Sequence, residues 1–422
     1  MRLSRTQFTT FTIAFFFISA VAFFASCNRN AVNPISKNPG KSLSLTTVEQ
    51  EQVSANNSFT LKLFRNLDSA DISGNNLFVS PLSVSFALGM TSNGANGQTL
   101  DAFKKVLNFN GLTQSEVNSY YNNLITNLPQ LDPNTTLNIA NSIWYKNTFN
   151  VLPQFLTTDS TYFHAQIASL DFTNPSSVNT INNWVNTQTN GKINKIINSI
   201  NSQDVMFLIN AIYFKSTWKE KFDPGKTTLL PFNLSNGSQV QAKFMDGTID
   251  FNRFDNNEVN VFELPYSNSK FSMLIAMPAS GTSVHQLIAG LDSAKWASWM
   301  QGLHTTNSEL KLPKFTFSYG ISLNDALMSL GLGIAFSDGA DFSGINANIP
   351  LQISAVNHKA FVAVDESGTT AAGVTSITIT PTDVLLNSPT VIDHPFVFAI
   401  REMSTGVILF TGTVNNPLLT GN

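Results

Sequence analysis

Hydrolytic or acid–base chemistry in this chain would fall to five histidines, His164, His285, His304, His358 and His394, and to serines and carboxylates. The histidines lack metal-ligand spacing, and there is no H-E-x-x-H signature. A G-x-S-x-G turn and a Walker loop are also missing. A Ser/His/Asp triad can be assembled from distant segments, so the sequence leaves one open, but no motif points to it. "GLGIAF" at 331–336 imitates a dinucleotide fingerprint yet ends in Phe336 where glycine is needed. It follows the helical pattern "SLNDALMSL" and reads as a helix stop. No cofactor or metal is implied. Cys27 is the only cysteine, which excludes internal disulfides, cysteine-based metal sites and cysteine catalysis in the folded domain.

The stretch that resists an ordinary reading is "VDESGTTAAGVTSITITPTDVLLNSP", residues 364–389. Small residues run into Val374, Ile377 and Ile379 alternating with Thr and Ser, the period of a half-buried strand, and Pro381 and Pro389 close it off. Thr369, Ala371, Gly373, Thr375, Ile377 and Ile379 share one parity. The segment has the pattern of a strand without an adjacent strand to pair with.

The elements that must position these residues come from periodicity. At 422 residues and 42% hydrophobic, the chain can bury a large core, in one large domain or two to three ordinary ones. A net charge of −3, 12% charged residues and no basic run argue against nucleic acid and offer no heparin-type site. Thr47 and Gln50 are spaced for a capping box opening a helix with Phe59, Leu63 and Leu67 on one face. "NLFVSPLSVSFALGMTSNGANG" predicts a short strand, Ser80 as N-cap, Pro81 at the first helical position, and a stop at Asn93–Gly94. Val205 to Phe214 is nearly all apolar, as in a strand buried on both faces, with Asn210 in its middle needing hydrogen-bond partners. "FELPYSNSKFSMLIAMP" and "PFVFAIREMSTGVILFTGTV" each predict two strands about a turn.

Seven motifs, in order and spacing, resemble the serpins: "NLFVSPLSVSFALGMTSNGANGQT", "VNTQTNGKI", "INAIYFKSTWKEKFDP", "LPKF", "FSDGADFSGI", "HKAFVAVDESGTTAAG" and "HPFVFAIREMSTGVILFTGTVNNP". The match runs roughly from Thr47 to Pro417. The resemblance implies a single α+β domain over 47–422, with three β-sheets, about nine helices and an exposed reactive-centre loop at about 366–392. It implies a monomeric suicide inhibitor of serine proteases, not an enzyme. The protease cuts the loop, the loop inserts into the large sheet, and a covalent one-to-one complex results. Strand addition and stored strain of this kind are general devices.

Site residues follow by motif. Glu366, Gly368, Thr369, Ala371, Ala372 and Gly373 match the hinge, where small residues suit inhibitory members and charged or bulky ones suit the others; Val374 is a mild departure. Ser80, Ser83, Asn210 and His358 match the polar shutter beneath the large sheet, and Trp218 matches the breach where the loop first inserts. Family spacing from Glu366 places the reactive bond between Thr382 and Asp383, whereas counting back from "HPF" points to Val384. Residues 374–394 contain no Lys, Arg, Phe, Tyr or Trp, which favours elastase-like or subtilisin-like targets. The alternatives are papain-like cysteine or aspartate-specific proteases, or a non-inhibitory serpin acting as a binding module.

The N-terminus has Arg2 and Arg5, then an apolar stretch from Phe11 to Phe24, a signal-peptide pattern over 1–26. "FASC" resembles a bacterial lipobox, with Phe24 unusual at its front and Cys27 as the lipidated residue. An uncleaved anchor or a leader cut without lipidation are the alternatives. Residues 27–46 then read as a lipidated start and flexible polar tether. The expected place is the bacterial outer membrane, facing periplasm or exterior, held by the N-terminal lipid; the alternative is secretion.

Overall fold

The computed structural model describes residues 40–71, 73–109, 111–370 and 389–421. Among them are nine α-helices: α1 (Thr47–Ala70), α2 (Pro81–Ser92), α3 (Gly97–Val106), α4 (Gln114–Asn127), α5 (Pro153–Phe163), α6 (Ser176–Gln188), α7 (Val284–Ala289), α8 (Ser293–Gly302) and α9 (Asn324–Leu327). The strands of the first half are β1 (Leu77–Val79), β2 (Thr136–Lys146), β3 (Gln166–Leu170), β4 (Met206–Thr217), β5 (Thr228–Asn233), β6 (Gln239–Asp255) and β7 (Val259–Pro265). Those of the second are β8 (Phe271–Pro278), β9 (His304–Pro313), β10 (Phe315–Ser322), β11 (Asn357–Asp365), β12 (Gly368–Thr369), β13 (Thr390–Val391), β14 (Phe396–Glu402) and β15 (Ile408–Val414).

The capping box of α1 lies one residue earlier than the spacing predicted. Thr46, not Thr47, is the N-cap, and its partner is Glu49, not Gln50, with Thr46 N donating to Glu49 Oε2 at 2.8 Å. An ionised carboxylate is the stronger acceptor and also suits the positive end of the helix. Packing also begins before residue 47. Leu43 is buried and Lys41 N donates to Leu131 O at 2.9 Å, so residues 40–46 do not belong to a free tether. Phe59, Leu63 and Leu67 are buried, as their spacing requires. Ser80 caps α2, accepting from Ser83 N, and Pro81 takes the first position. Gly331, at φ 114°, interrupts the helical run after α9, as expected of a stop.

Two hydrogen-bonded paths carry the strands. Six run in the order β10-β11-β12-β4-β2-β3, and nine are connected as β1-β15-β14-β8-β7-β6-β9-β13, with β5 alongside β6. The second and third expected sheets are joined because β6 is 17 residues long. It pairs with β5 and β9 over most of its length and with β7 from Asn252 to Asp255. β4 is covered on both faces. Ile212 and Phe214 join the main core, while Ile209 and Ala211 pack with Trp144, Ile181 and Trp184 in a second cluster that includes α6. That explains the apolar run in the sequence.

Candidate functional site

The six-stranded sheet is joined differently at its two ends. β4 pairs with β2 from Met206 to Lys215, and β11 pairs with β10 along its length to Val364. Among the described residues, β4 and β11 are connected only through β12, where Gly368 faces Thr217 and Asp365, and Thr369 faces Ser216 and Val364. Below that point lies a cavity of about 620 Å³, lined by Met206–Ile212 of β4, Asn357–Lys359 of β11 and α2 residues including Ser83. Backbone groups facing such a gap are available for one more strand.

The upper end is densely tied. Glu366 and Ser367 turn the chain from β11 into β12, and Gly368 then lies against β4 at φ 149°; a Cβ there would meet Ser216 O at 2.1 Å. Only glycine fits. Trp218 N donates to Ser367 O and Phe222 N to Glu366 O, at 2.9 and 3.1 Å. Trp218 Nε1 donates to Asp365 O at 2.9 Å, and its ring stacks on Tyr266 with centroids 4.7 Å apart. The Glu366 carboxylate accepts from Lys314 Nζ at 2.7 Å and from Thr227 Oγ1 at 2.6 Å. Burial alone would raise the Glu366 pKa, but these bonds outweigh it and hold the group below the usual glutamate range. Thr369 is 2% exposed, and its hydroxyl is bonded to that of Tyr266. Thr370 N donates to Ala363 O at 2.6 Å, with Thr370 itself at φ 52°.

The middle is polar and buried. His358 Nε2 accepts from Ser80 N at 3.1 Å, Ser80 Oγ donates to Leu409 O at 2.7 Å, and Ser83 N donates back to Ser80 Oγ at 3.2 Å. Burial pushes the His358 pKa down to about 4, so the ring is a neutral acceptor at pH 7. Asn210 lines the same cavity but bonds elsewhere. Its amide donates to Asn141 Oδ1 of β2 at 2.8 Å, and its own Oδ1 is buried without a partner.

The structure therefore brings Ser80, Ser83 and His358 together, seats Glu366, Gly368, Thr369 and Trp218 in one cluster, and gives Asn210 a partner the sequence did not suggest. Ala371, Ala372, Gly373, Thr382, Asp383, Val384 and Cys27 lie outside the described residues. Sequence reasoning missed Tyr266, Thr227, Asn141 and Lys314. Lys314 lies within "LPKF" and Tyr266 follows Pro265 at the end of β7, but only the fold sets them beside Glu366 and Thr369. Among the described residues no cluster of His, Cys, Asp or Glu could hold a metal, and no helix is long and apolar enough to cross a membrane.

A family model described as Serpin (serine protease inhibitor) matches residues 54–417. Leukocyte elastase inhibitor A of Rattus norvegicus is 34% identical over 377 residues, covering 86% of this chain and 99% of the relative. The native state of Tengpin, a thermophilic serpin, superposes with a TM-score of 0.80 at 34% identity, covering 89% of this chain and 97% of that one. Human thyroxine-binding globulin, solved with its hormone, gives 0.79 at 29% identity, over 88% and 99% of the two chains.

Proposed function

We propose, from the premise that this chain belongs to the serpin family of serine protease inhibitors, that it traps a protease by inserting its cut loop between β4 and β11. The observation that carries this reading is β12. The hinge already contributes two residues to the sheet, and among the described residues nothing else joins the strands on either side.

Continuing its register would set Ala371 opposite Phe214, Gly373 opposite Ile212, Thr375 opposite Asn210, Ile377 opposite Leu208 and Ile379 opposite Met206. Ala371 would meet the bulky Phe214, and Thr375 would lie beside Asn210, whose side-chain oxygen lacks a partner. Burying the two isoleucines would contribute roughly 3 to 6 kcal/mol. Each new ladder hydrogen bond would add about 1 kcal/mol net. Insertion is downhill once the loop is cut.

The protease serine oxygen attacks the carbonyl of Thr382, an ester forms, and the amine of Asp383 leaves. About 14 inserted residues at roughly 3.3 Å each carry the tethered enzyme some 45 Å. A displacement of about 1 Å at reacting groups can cost 100-fold in rate, so water fails to release the ester. The inhibitor is consumed rather than turned over.

The loop's lack of basic and aromatic residues favours elastase-like or subtilisin-like targets, with Val384 the alternative position for the cut. Incubation with a protease panel, denaturing gels and mass spectrometry of the released C-terminal peptide tests this. A denaturation-resistant complex with elastase or subtilisin is expected; efficient trapping of trypsin alone would refute the specificity, and no complex with any enzyme would favour a non-inhibitory binding role. The leader and Cys27 support a lipid-anchored protein at a bacterial outer membrane. Retention in the detergent phase by a processed Cys27→Ser protein would rule out lipidation as the anchor.

A further inference from the structure

We propose that Tyr266 is a positioning residue for loop insertion: its hydroxyl holds Thr369 in sheet register before any cut, so insertion starts two residues in. The proposal rests on the insertion reading above and concerns how the hinge is set for it.

The phenol is fixed by parts of the molecule that are not the hinge. Tyr266 is fully buried, stacks on Trp218 at an interplanar angle of 7°, and meets Phe214 edge-on at 5.3 Å. Its backbone N donates to Phe271 O at 2.8 Å, and it bridges to Trp218 in an isolated β-pair. With the ring immobile, the hydroxyl offers a fixed point, and the group it meets is the Thr369 hydroxyl. Thr369 is the last residue paired with both β4 and β11.

The next residue departs from the strand. Thr370 has φ 52°, a left-handed conformation that is unfavourable for a β-branched side chain. Thr370 N still reaches Ala363 O in the same register, and the left-handed turn at Thr370 ends the strand one residue beyond the clamp. Because Thr369 already occupies the register that an inserted strand would use, the bond is compatible with both the resting and the inserted hinge. The state it disfavours is the one in which Gly368 and Thr369 leave the sheet.

The test uses the full chain and two conservative variants. Tyr266→Phe keeps the ring stack and removes the hydroxyl; Thr369→Val keeps the side-chain shape and removes the other hydroxyl. Hydrogen exchange of the segment 366–370, read by mass spectrometry, should quicken about 5- to 10-fold in each, the loss of one hydrogen bond's stabilisation. The double variant should match the single ones, because both remove the same bond. The number of inhibitor molecules consumed per protease trapped should rise in all three. Unchanged exchange in Tyr266→Phe, or single effects that multiply in the double variant, would overturn the proposal. If the unmodified protein traps no protease, the insertion reading fails instead, while the exchange measurement still decides the contact.

Discussion

The two ends of the gap between β4 and β11 are built on opposite terms. At the top, Trp218, Tyr266, Lys314 and Thr227 tie residues 365–369 into place between the strands and against the second sheet. In the middle, His358 and Asn210 point their bonds away from the gap. His358 ties β11 to the start of α2, and Asn210 ties β4 to β2. Hydrogen bonds lost on parting the strands are concentrated at the top; at the lower rim, Ser354 Oγ donates to Asp204 Oδ1 at 3.5 Å in an exposed contact. A sheet held firmly at one end and braced separately on each side below is suited to accept a strand from that end.

The most damaging change should come at the tied end. Thr369→Arg puts a guanidinium into a site where the side chain is 2% exposed, so the charge must be desolvated unpaired or the strand forced out, at a cost of several kcal/mol. Cutting of the loop precedes insertion and should continue. The expected outcome is a substrate: the number of inhibitors consumed per protease trapped rises steeply, and an unchanged ratio would show that Thr369 does not have to be buried.

In the middle, acid should loosen the brace. His358 titrates near 6.5 when unfolded and at about 4 when folded. Above pH 6.5 it is neutral in both states. As pH falls from 6.5 to 4 the unfolded chain takes the proton and the folded protein does not, so stability falls by up to about 3 kcal/mol. Urea unfolding at pH 7 and pH 4.5 should show that loss, and His358→Gln should flatten it; an equal slope in the variant would remove His358 from the brace. His394 has the opposite sign, because the bond to Asp393 raises its pKa and the stability it supplies is lost as pH rises through that value.

A smaller effect is expected from the ion pair at the top. Glu366→Gln keeps the shape and loses the charge facing Lys314, which is itself about one-third exposed. A cost of about 1 kcal/mol is expected for a partly screened pair. Faster exchange confined to residues 366–370 would accompany it; a loss of several kcal/mol spread over the sheet would mean that the pair supports more than the hinge.

Much of this is legible in the sequence. Ser80 and Pro81 marked their helix because the capping chemistry is local, and the run from Val205 to Phe214 marked β4 because burial on both faces leaves no alternation. The motif match singled out Glu366, Gly368, Thr369, Trp218 and His358, which the structure sets at the top and in the middle of the gap. Thr46 was passed over because Thr47–Gln50 satisfies the same spacing one residue later. The partner of Asn210 is not legible for a different reason: Asn141 lies 69 residues away on β2, and only the β2–β4 register places the two opposite one another. Tyr266 reaches Thr369 across 103 residues and between two sheets, a distance over which periodicity carries no information.

Insertion between β4 and β11 is tested most directly by cutting the loop and measuring what happens to stability. A strand added between two unpaired edges, with two isoleucines buried, should stabilise the cleaved protein, and thermal unfolding should move upward by on the order of 10 °C or more. A cleaved chain that melts at or below the temperature of the intact one would contradict insertion outright.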